Sequence, residues 1–219
     1  MHFSVTEENY IKAIFHLQQE DGTVSTNELA AVLATRPASV TDMLKKLKTK
    51  KLLSYEKYKG VRLTAEGKRL ALAVVRKHRL WEYFLVHTLQ FGWDEVHEVA
   101  EELEHITSRK LVDKLDVFLG YPKFDPHGDP IPDSQGKMQQ QQQVNLIDLP
   151  PGTAAEVSAV GSQSTELLEL LRHKSIGIGT RLEVKKKFGF DHSIEIKIKG
   201  QTAFIISQQL AQALFVKLI

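Results

Sequence analysis

Residues 25–64 read STNELAAVLATRPASVTDMLKKLKTKKLLSYEKYKGVRLT, and the order of elements in this stretch decides the fold. Ser25 followed by Glu28 is a capping box, which opens a short helix by satisfying free backbone N–H groups. Ala34-Thr35-Arg36 then makes a tight turn. Pro37 stands in the first turn of the next helix, where its missing N–H costs nothing. Val40, Met43, Leu44 and Leu47 follow at i, i+3, i+4 and i+7, one apolar helix face. Two short helices joined by a turn read as helix-turn-helix. The aromatic and β-branched run after them, broken at Lys59-Gly60, predicts a β-hairpin. A hairpin directly after helix-turn-helix is a wing.

Working outward, residues 6–20 carry a helical pattern with Tyr10, Ile11, Ile14, Phe15 and Leu17 on its apolar face. Thr64 caps a long helix over about 65–90, and a second is expected over roughly 94–119. Residues 121–143 are Pro/Gly-rich and then Gln-rich, a linker that is extended first and mobile at the glutamines. Beyond it, LIDLPPGTAAEVSAV, GTRLEVKKKF, SIEIKIKG and TAFIIS alternate like strands, with STELLELLRHK a short helix among them. This predicts a mainly α chain with small β parts. A winged helix-turn-helix spans 1–64, a helical region 65–132, a Gln-rich linker 133–143 and a small β-barrel 144–219.

The 219-residue chain is 42% hydrophobic and carries a formal charge of +2. It has no cysteine, so disulfides and thiolate ligands are excluded and any metal must be held by N and O atoms. No apolar run reaches membrane-spanning length and no signal-peptide pattern opens the chain, so a soluble, cytoplasmic protein is expected. The charge is unevenly spread. Residues 36–79 hold fourteen Lys and Arg against Asp42, Glu56 and Glu66, and the next forty are acid-rich. A basic block followed by an acidic one suggests a polyanion-binding part and a cation-binding part.

The basic excess lies where helix-turn-helix proteins meet DNA. Arg36 precedes the second helix, and its outward face carries Ala38, Ser39, Thr41, Asp42, Lys45 and Lys46. Small and polar residues early in a recognition helix allow close approach to base edges, and lysines further along meet phosphates. Asp42 can accept from a cytosine amino group. Lys57 and Lys59 at the wing tip reach flanking phosphates.

In the acidic part, HEVAEELEHI (97–106) read as one helix sets Val96, Val99, Ala100, Leu103 and Ile106 inward. His97, Glu101, Glu104 and His105 fall on another side. Carboxylates at that spacing repel unless something positive sits between them. The preceding helix contains RKHRLWEYFL, with His78 and Glu82 at i, i+4. Two successive helices thus each present His/Glu pairs, and antiparallel packing would let His78, Glu82 and His97 converge.

The chain resembles the diphtheria-toxin-repressor / manganese-transport-regulator family of metal-dependent transcriptional repressors, three-domain type. The resemblance covers nearly the whole chain and rests on TEENYIKAIF, PASVTDMLKKL, YEKYKGVRLTAEGK, RKHRLWEYFL, EELEH, DPHGDPIP and LIDLPPG. It implies a winged helix, a helical metal-binding and dimerisation domain, and a C-terminal SH3-like domain of the FeoA type. It also implies a homodimer that binds double-stranded operator DNA when loaded with Mn2+ or Fe2+ and controls metal-uptake genes. By resemblance, the primary metal site uses Glu101, Glu104, His105 and the residue at position 9, here Asn9. The ancillary site uses His78, Glu82 and His97, and the SH3-like domain adds Gln163 and Glu166. Some positions depart from the family. Asn9 replaces the Met of iron members and the Asp of manganese members. Lys12 stands where one manganese member has a Glu ligand, and Glu101 where the iron prototype has Cys. The order of Gln163 and Glu166 is reversed. The N/O donor set suits Mn2+, with Fe2+ the alternative.

Two other readings compete with a non-enzymatic repressor. One is a metallohydrolase using the His/Glu cluster, although HExxH is missing because Glu101 follows His97-Glu98 at the second His position. The other is a winged-helix regulator with an organic effector. His2, His16 and His87 lack a spaced partner, His173 and His192 sit in the barrel part without a carboxylate at ligand spacing, and His127 is expected only to brace the linker turn.

Overall fold

The local capping signals carry through to the tertiary structure. In the computed structural model, which describes residues 3–18, 22–56 and 60–219, α1 (Val5–Leu17) opens with a reciprocal Ser4/Glu7 capping box. The second box, Ser25/Glu28, opens α2 (Thr26–Val32). Pro37 is the first residue of α3 (Pro37–Thr49). The wing strands β1 (Leu53–Glu56) and β2 (Gly60–Leu63) pair antiparallel, Leu53 opposite Leu63. The expected tip contacts Lys57 and Lys59, like His2, lie outside the described residues. Ile11, Ile14, Leu29, Val40, Leu44, Leu47 and Val61 are all buried in one cluster, so the periodic apolar faces of the three helices meet.

Thr64 caps α4 (Ala65–His87), its Oγ1 accepting from Gly67 N at 3.1 Å. The helix expected over 94–119 is two helices, α5 (Val96–Leu103) and α6 (Arg109–Phe118). Ser108 explains the restart: its Oγ accepts from Leu111 N and its carbonyl from Val112 N, each at 3.3 Å. The β-branched pair Ile106-Thr107 ahead of it disfavours continued helix. Glu104 and His105 therefore stand past a helix end, not on the shared helical face the sequence suggested.

The chain divides into two compact units. The first holds Met1–His78, Glu101–Leu115 and Pro132–Lys137, and the second Arg79–Ala100, Asp116–Ile131 and Met138–Ile219. Much of the second unit is a six-stranded antiparallel sheet, built from β3 (Val144–Asn145), β4 (Ala154–Val160), β5 (Arg181–Lys187), β6 (Ile194–Ile198), β7 (Phe204–Ile206) and β8 (Leu214–Leu218). Its strand order is β3-β8-β4-β5-β6-β7. Helices α7 (Thr165–His173) and α8 (Gln208–Gln212) are its insertions.

The sequence expected a C-terminal domain tethered by a mobile tract. Instead the DPHGD turn (125–129) packs with the sheet inside one unit. Asp125 Oδ1 accepts from His127 N at 2.8 Å and Asp129 N at 3.0 Å, which closes the turn. Gly128 has φ +90°, and a Cβ there would lie 2.1 Å from the Ser158 carbonyl of β4. Val160 N donates to the His127 carbonyl at 3.0 Å, and Trp93 packs on the sheet's core. No helix among the described residues is long and apolar enough to cross a membrane.

Candidate metal centre and nucleic-acid interface

In the first unit, the turn after α5 carries Glu104 at 0% exposure. A buried carboxylate needs partners, and this one has three nitrogens around it. Lys12 Nζ, from α1, reaches Oε1 at 2.8 Å and Oε2 at 2.7 Å. His78 Nδ1, from α4, lies 2.7 Å from Oε2, and His105 Nε2 3.5 Å from Oε1. Burial pushes the Glu104 carboxyl upward, but the His78 hydrogen bond and the Lys12 charge outweigh it and hold it below the ordinary range. Glu101 is exposed and lies 3.3 Å from Lys12 Nζ. Asn9 Oδ1 is buried with no hydrogen-bond partner among the described residues. Lys12 thus joins Glu101 to Glu104, and His105 adjoins Glu104, while Asn9, three residues before Lys12 on α1, keeps an uncommitted oxygen that a cation would satisfy.

Two residues on α1 frame this set. Glu8 Oε2 lies 2.6 Å from His105 Nδ1, and Lys77 Nζ is 3.6 Å from Glu8 Oε1. Glu7, 1% exposed, faces α3: its Oε1 is 2.6 Å from Lys50 Nζ and 3.1 Å from Lys46 Nζ. Burial pushes the Glu7 carboxyl up, but Lys50, the Ser4 N–H and Lys46 bring it from 4.5 to about 2. The sequence reading missed Glu7 and Glu8, because both contacts join positions forty or more residues apart.

In the second unit, His97 Nδ1 lies 3.4 Å from Glu82 Oε1. His78 precedes Glu82 by one turn of α4, and its Nδ1 is engaged by Glu104 of the set assigned to the other site. Glu82 also has partners the sequence did not offer. Glu82, Asp125 and His127, all buried, present ligand atoms that lie within 4.8 Å of one another. His127 Nε2 lies 2.8 Å from the Trp93 carbonyl, and the two rings stack. Donating Nε2–H there leaves Nδ1 facing Glu82 Oε2, 3.8 Å away. Burial, then Glu82 and Asp129, push the Asp125 carboxyl up to about 7 despite Arg79 and His127. Burial lowers the His127 imidazole, but Glu82, Asp125 and the Trp93 carbonyl raise it above its ordinary value. His127 therefore does more than brace the turn: three acids and bases converge where periodicity is blind, since 125–129 is a loop.

Arg79 closes this cluster. It approaches Asp125 at 3.4 Å and Asp129 at 3.2 Å, and donates to the Pro130 carbonyl at 2.6 Å. Gln163 donates its amide to Asp129 Oδ2 at 3.1 Å. Glu166 is exposed in the first turn of α7.

On α3, Ala38, Ser39, Asp42, Lys45 and Lys46 are exposed, as is Arg36 just before it, while Thr41 is half-buried. Thr41 Oγ1 donates to the Pro37 carbonyl at 3.0 Å, and Asp42 pairs with Lys45 at 3.0 Å. Lys46 is shared with Glu7, so its charge is partly answered from inside the unit. At the far end of α6, Val117 and Phe118 are 53% and 69% exposed, large apolar side chains of the kind an interface covers.

Three consecutive family models match. The iron dependent repressor N-terminal DNA binding domain covers 2–61, the iron dependent repressor metal binding and dimerisation domain 64–133, and the FeoA domain 144–218. The iron-dependent repressor IdeR of Mycobacterium leprae (strain TN) is 30% identical over 80% of this chain and 70% of its own. The HTH-type transcriptional regulator MntR of Bacillus subtilis (strain 168) is 34% identical over 52% of this chain and 80% of its own. Among solved structures, a manganese-dependent transcriptional repressor in complex with manganese superposes with TM-score 0.88. It is 33% identical, over 97% of this chain and 100% of that one. ScaR with bound Cd2+ superposes with TM-score 0.79 at 32% identity, over 97% of this chain and 99% of that one. The matching family models, IdeR and the manganese-bound structure are repressors rather than enzymes, which removes the hydrolase alternative. The chain belongs to the iron-dependent repressor family and is a metal-dependent transcriptional repressor with DNA-binding, dimerisation and FeoA domains.

Proposed function

We propose that this chain is a cytoplasmic homodimeric repressor that binds operator DNA when loaded with Mn2+, with Fe2+ as the alternative, and controls metal-uptake genes. The observation that carries this reading is the placement of α1. One helix meets Glu101, Glu104 and His105 through Lys12 and Glu8, and meets α3 through Glu7. Whatever fixes α1 against the acidic turn also fixes it against the helix that would enter the major groove. Metal binding and DNA binding are then linked, and each tightens the other.

The primary site is Glu101, Glu104, His105 and Asn9, whose donors are oxygen and nitrogen only, a set that suits Mn2+. A bound divalent ion supplies positive charge among those carboxylates. Glu82 and His97, with His78 one turn before Glu82, form the ancillary set, and Asp125 and His127 extend it. Ala38, Ser39, Thr41 and Asp42 face base edges, whereas Arg36, Lys45 and Lys46, with Lys57 and Lys59 of the wing, meet phosphates. The exposed apolar end of α6 belongs to the dimer interface. Binding to the chain's own promoter region, compared in EDTA, Mn2+, Fe2+ and Zn2+, tests the reading. Metal-dependent binding supports it, and equal binding in EDTA and in every metal overturns it.

A further inference from the structure

We propose that Glu8 is the positioning residue of the primary metal site, the carboxylate that orients His105 and fixes which of its ring nitrogens faces the ion. The inference rests on the reading of Glu104 and His105 as metal ligands. Glu8 sits in the first turn of α1, where its own N–H is held by the Ser4 carbonyl at 3.0 Å. Its Oε2 lies 2.6 Å from His105 Nδ1. Both side chains are 13% exposed, so the contact is shielded from water and anchored at both ends. Lys77 approaches the other oxygen at 3.6 Å and steadies the carboxylate.

The chemistry follows from the two nitrogens. An imidazole that donates Nδ1–H to a carboxylate carries its lone pair on Nε2. In this structure Nε2 is the nitrogen beside Glu104, 3.5 Å from Oε1. The hydrogen bond therefore points the basic nitrogen at the other candidate ligands and adds electron density to the ring. Carboxylate–histidine–metal arrangements work in this way, and losing the outer carboxylate costs about 10–100-fold in metal affinity. Glu8 also gives α1 a second hold on the site: Asn9 offers an oxygen, and Glu8 holds a ligand from behind.

The test uses the full chain. Mn2+ affinity is measured by competition with a fluorescent chelator, and ring nitrogens are read by 1H–15N NMR with Zn2+ as a diamagnetic probe. Glu8→Leu is expected to weaken Mn2+ by about 10–100-fold. Glu8→Gln, whose amide oxygen accepts the same hydrogen bond, recovers most of that loss. In the Zn2+-loaded wild type, His105 ligates through Nε2 and keeps its proton on Nδ1. Wild-type affinity in Glu8→Leu overturns the proposal. So does ligation through Nδ1, which remains readable in the wild type if Glu8→Leu does not fold, or a Glu8→Gln variant as weak as Glu8→Leu. Glu104→Ala separates the two layers. If it loses Mn2+ while Glu8→Leu keeps it, only the role of Glu8 fails; if Glu104→Ala keeps it too, the metal reading itself fails.

Discussion

The acid–histidine clusters of the two units differ in how their charge is already answered. In the first, Glu104 has an ammonium on both oxygens and an imidazole beside them, and its carboxyl is held low. In the second, Asp125 shares its surroundings with Glu82 and Asp129, and Arg79 and His127 do not offset the burial and repulsion that raise it. The first is a neutralised set, and a cation entering it as proposed would have to displace Lys12. The second is an excess of acid that gains by taking up a proton or a cation. Similar residue types thus make a competitive site in one place and a deficient one in the other.

Glu104→Ala should break this contrast most completely. Without its one buried carboxylate the first cluster has only Glu101, His105 and a neutral amide, and metal-dependent operator binding should fall by about 100-fold or more. Titrating operator binding against Mn2+ checks it, and full response would reduce the acidic turn to a solvated charge cluster.

Lys12→Met should come next. It leaves Glu104 buried without its nearest cation, which costs the metal-free protein about 3 kcal/mol. Mn2+ should restore much of the loss, so the gap in Tm between loaded and metal-free protein widens relative to wild type. An unchanged gap would show that Lys12 and the ion do not compete. His78→Ala, by chelator competition, should cost about tenfold, since its ring supports Glu104 at 2.7 Å from the neighbouring helix and does not replace it.

Acid titration should separate the clusters by sign. Glu7 and Glu104 have lowered pKa values, so each contributes stability above the unfolded value of 4.5 that is lost as pH falls; for Glu7 the loss runs down to about 2. Asp125 is raised, so the folded state holds its proton more tightly and stability declines as pH rises from 3.8 to about 7. Chemical denaturation of metal-free protein across that range should show Glu7→Gln flattening the acid limb and Asp125→Asn flattening the opposing one. The smallest effect belongs to Glu166→Ala. Its side chain is exposed, and operator binding should change by no more than about twofold.

Much of the first unit was legible because its signals are local. Ser25/Glu28 and Pro37 mark helix starts within four residues of the groups they satisfy, and the wing follows from composition. Tertiary contact leaves no such local signal. Periodicity carried one helix through 104–108, since a Ser cap inside a polar stretch looks like another polar position. Lys12 departs visibly from the family pattern, but its hold on Glu104 spans 92 residues of sequence. Asp125 and His127 sit in a turn, where neither the 3.6 nor the 2.0 period applies. The closing strand β8 went unread: LFVKL is too short to be told from the end of a helix by its apolar residues alone.

Gly128 has a consequence for how the chain comes apart. A turn that presses its backbone against β4, with no room for even a methyl group, joins residues 125–129 to the sheet without help from the chain between them. The glutamine tract is then dispensable as a covalent link within that unit. A protease that nicks it should yield two pieces that still elute together from a sizing column and separate only in denaturant. A side chain at 128 should turn the same nick into a clean release.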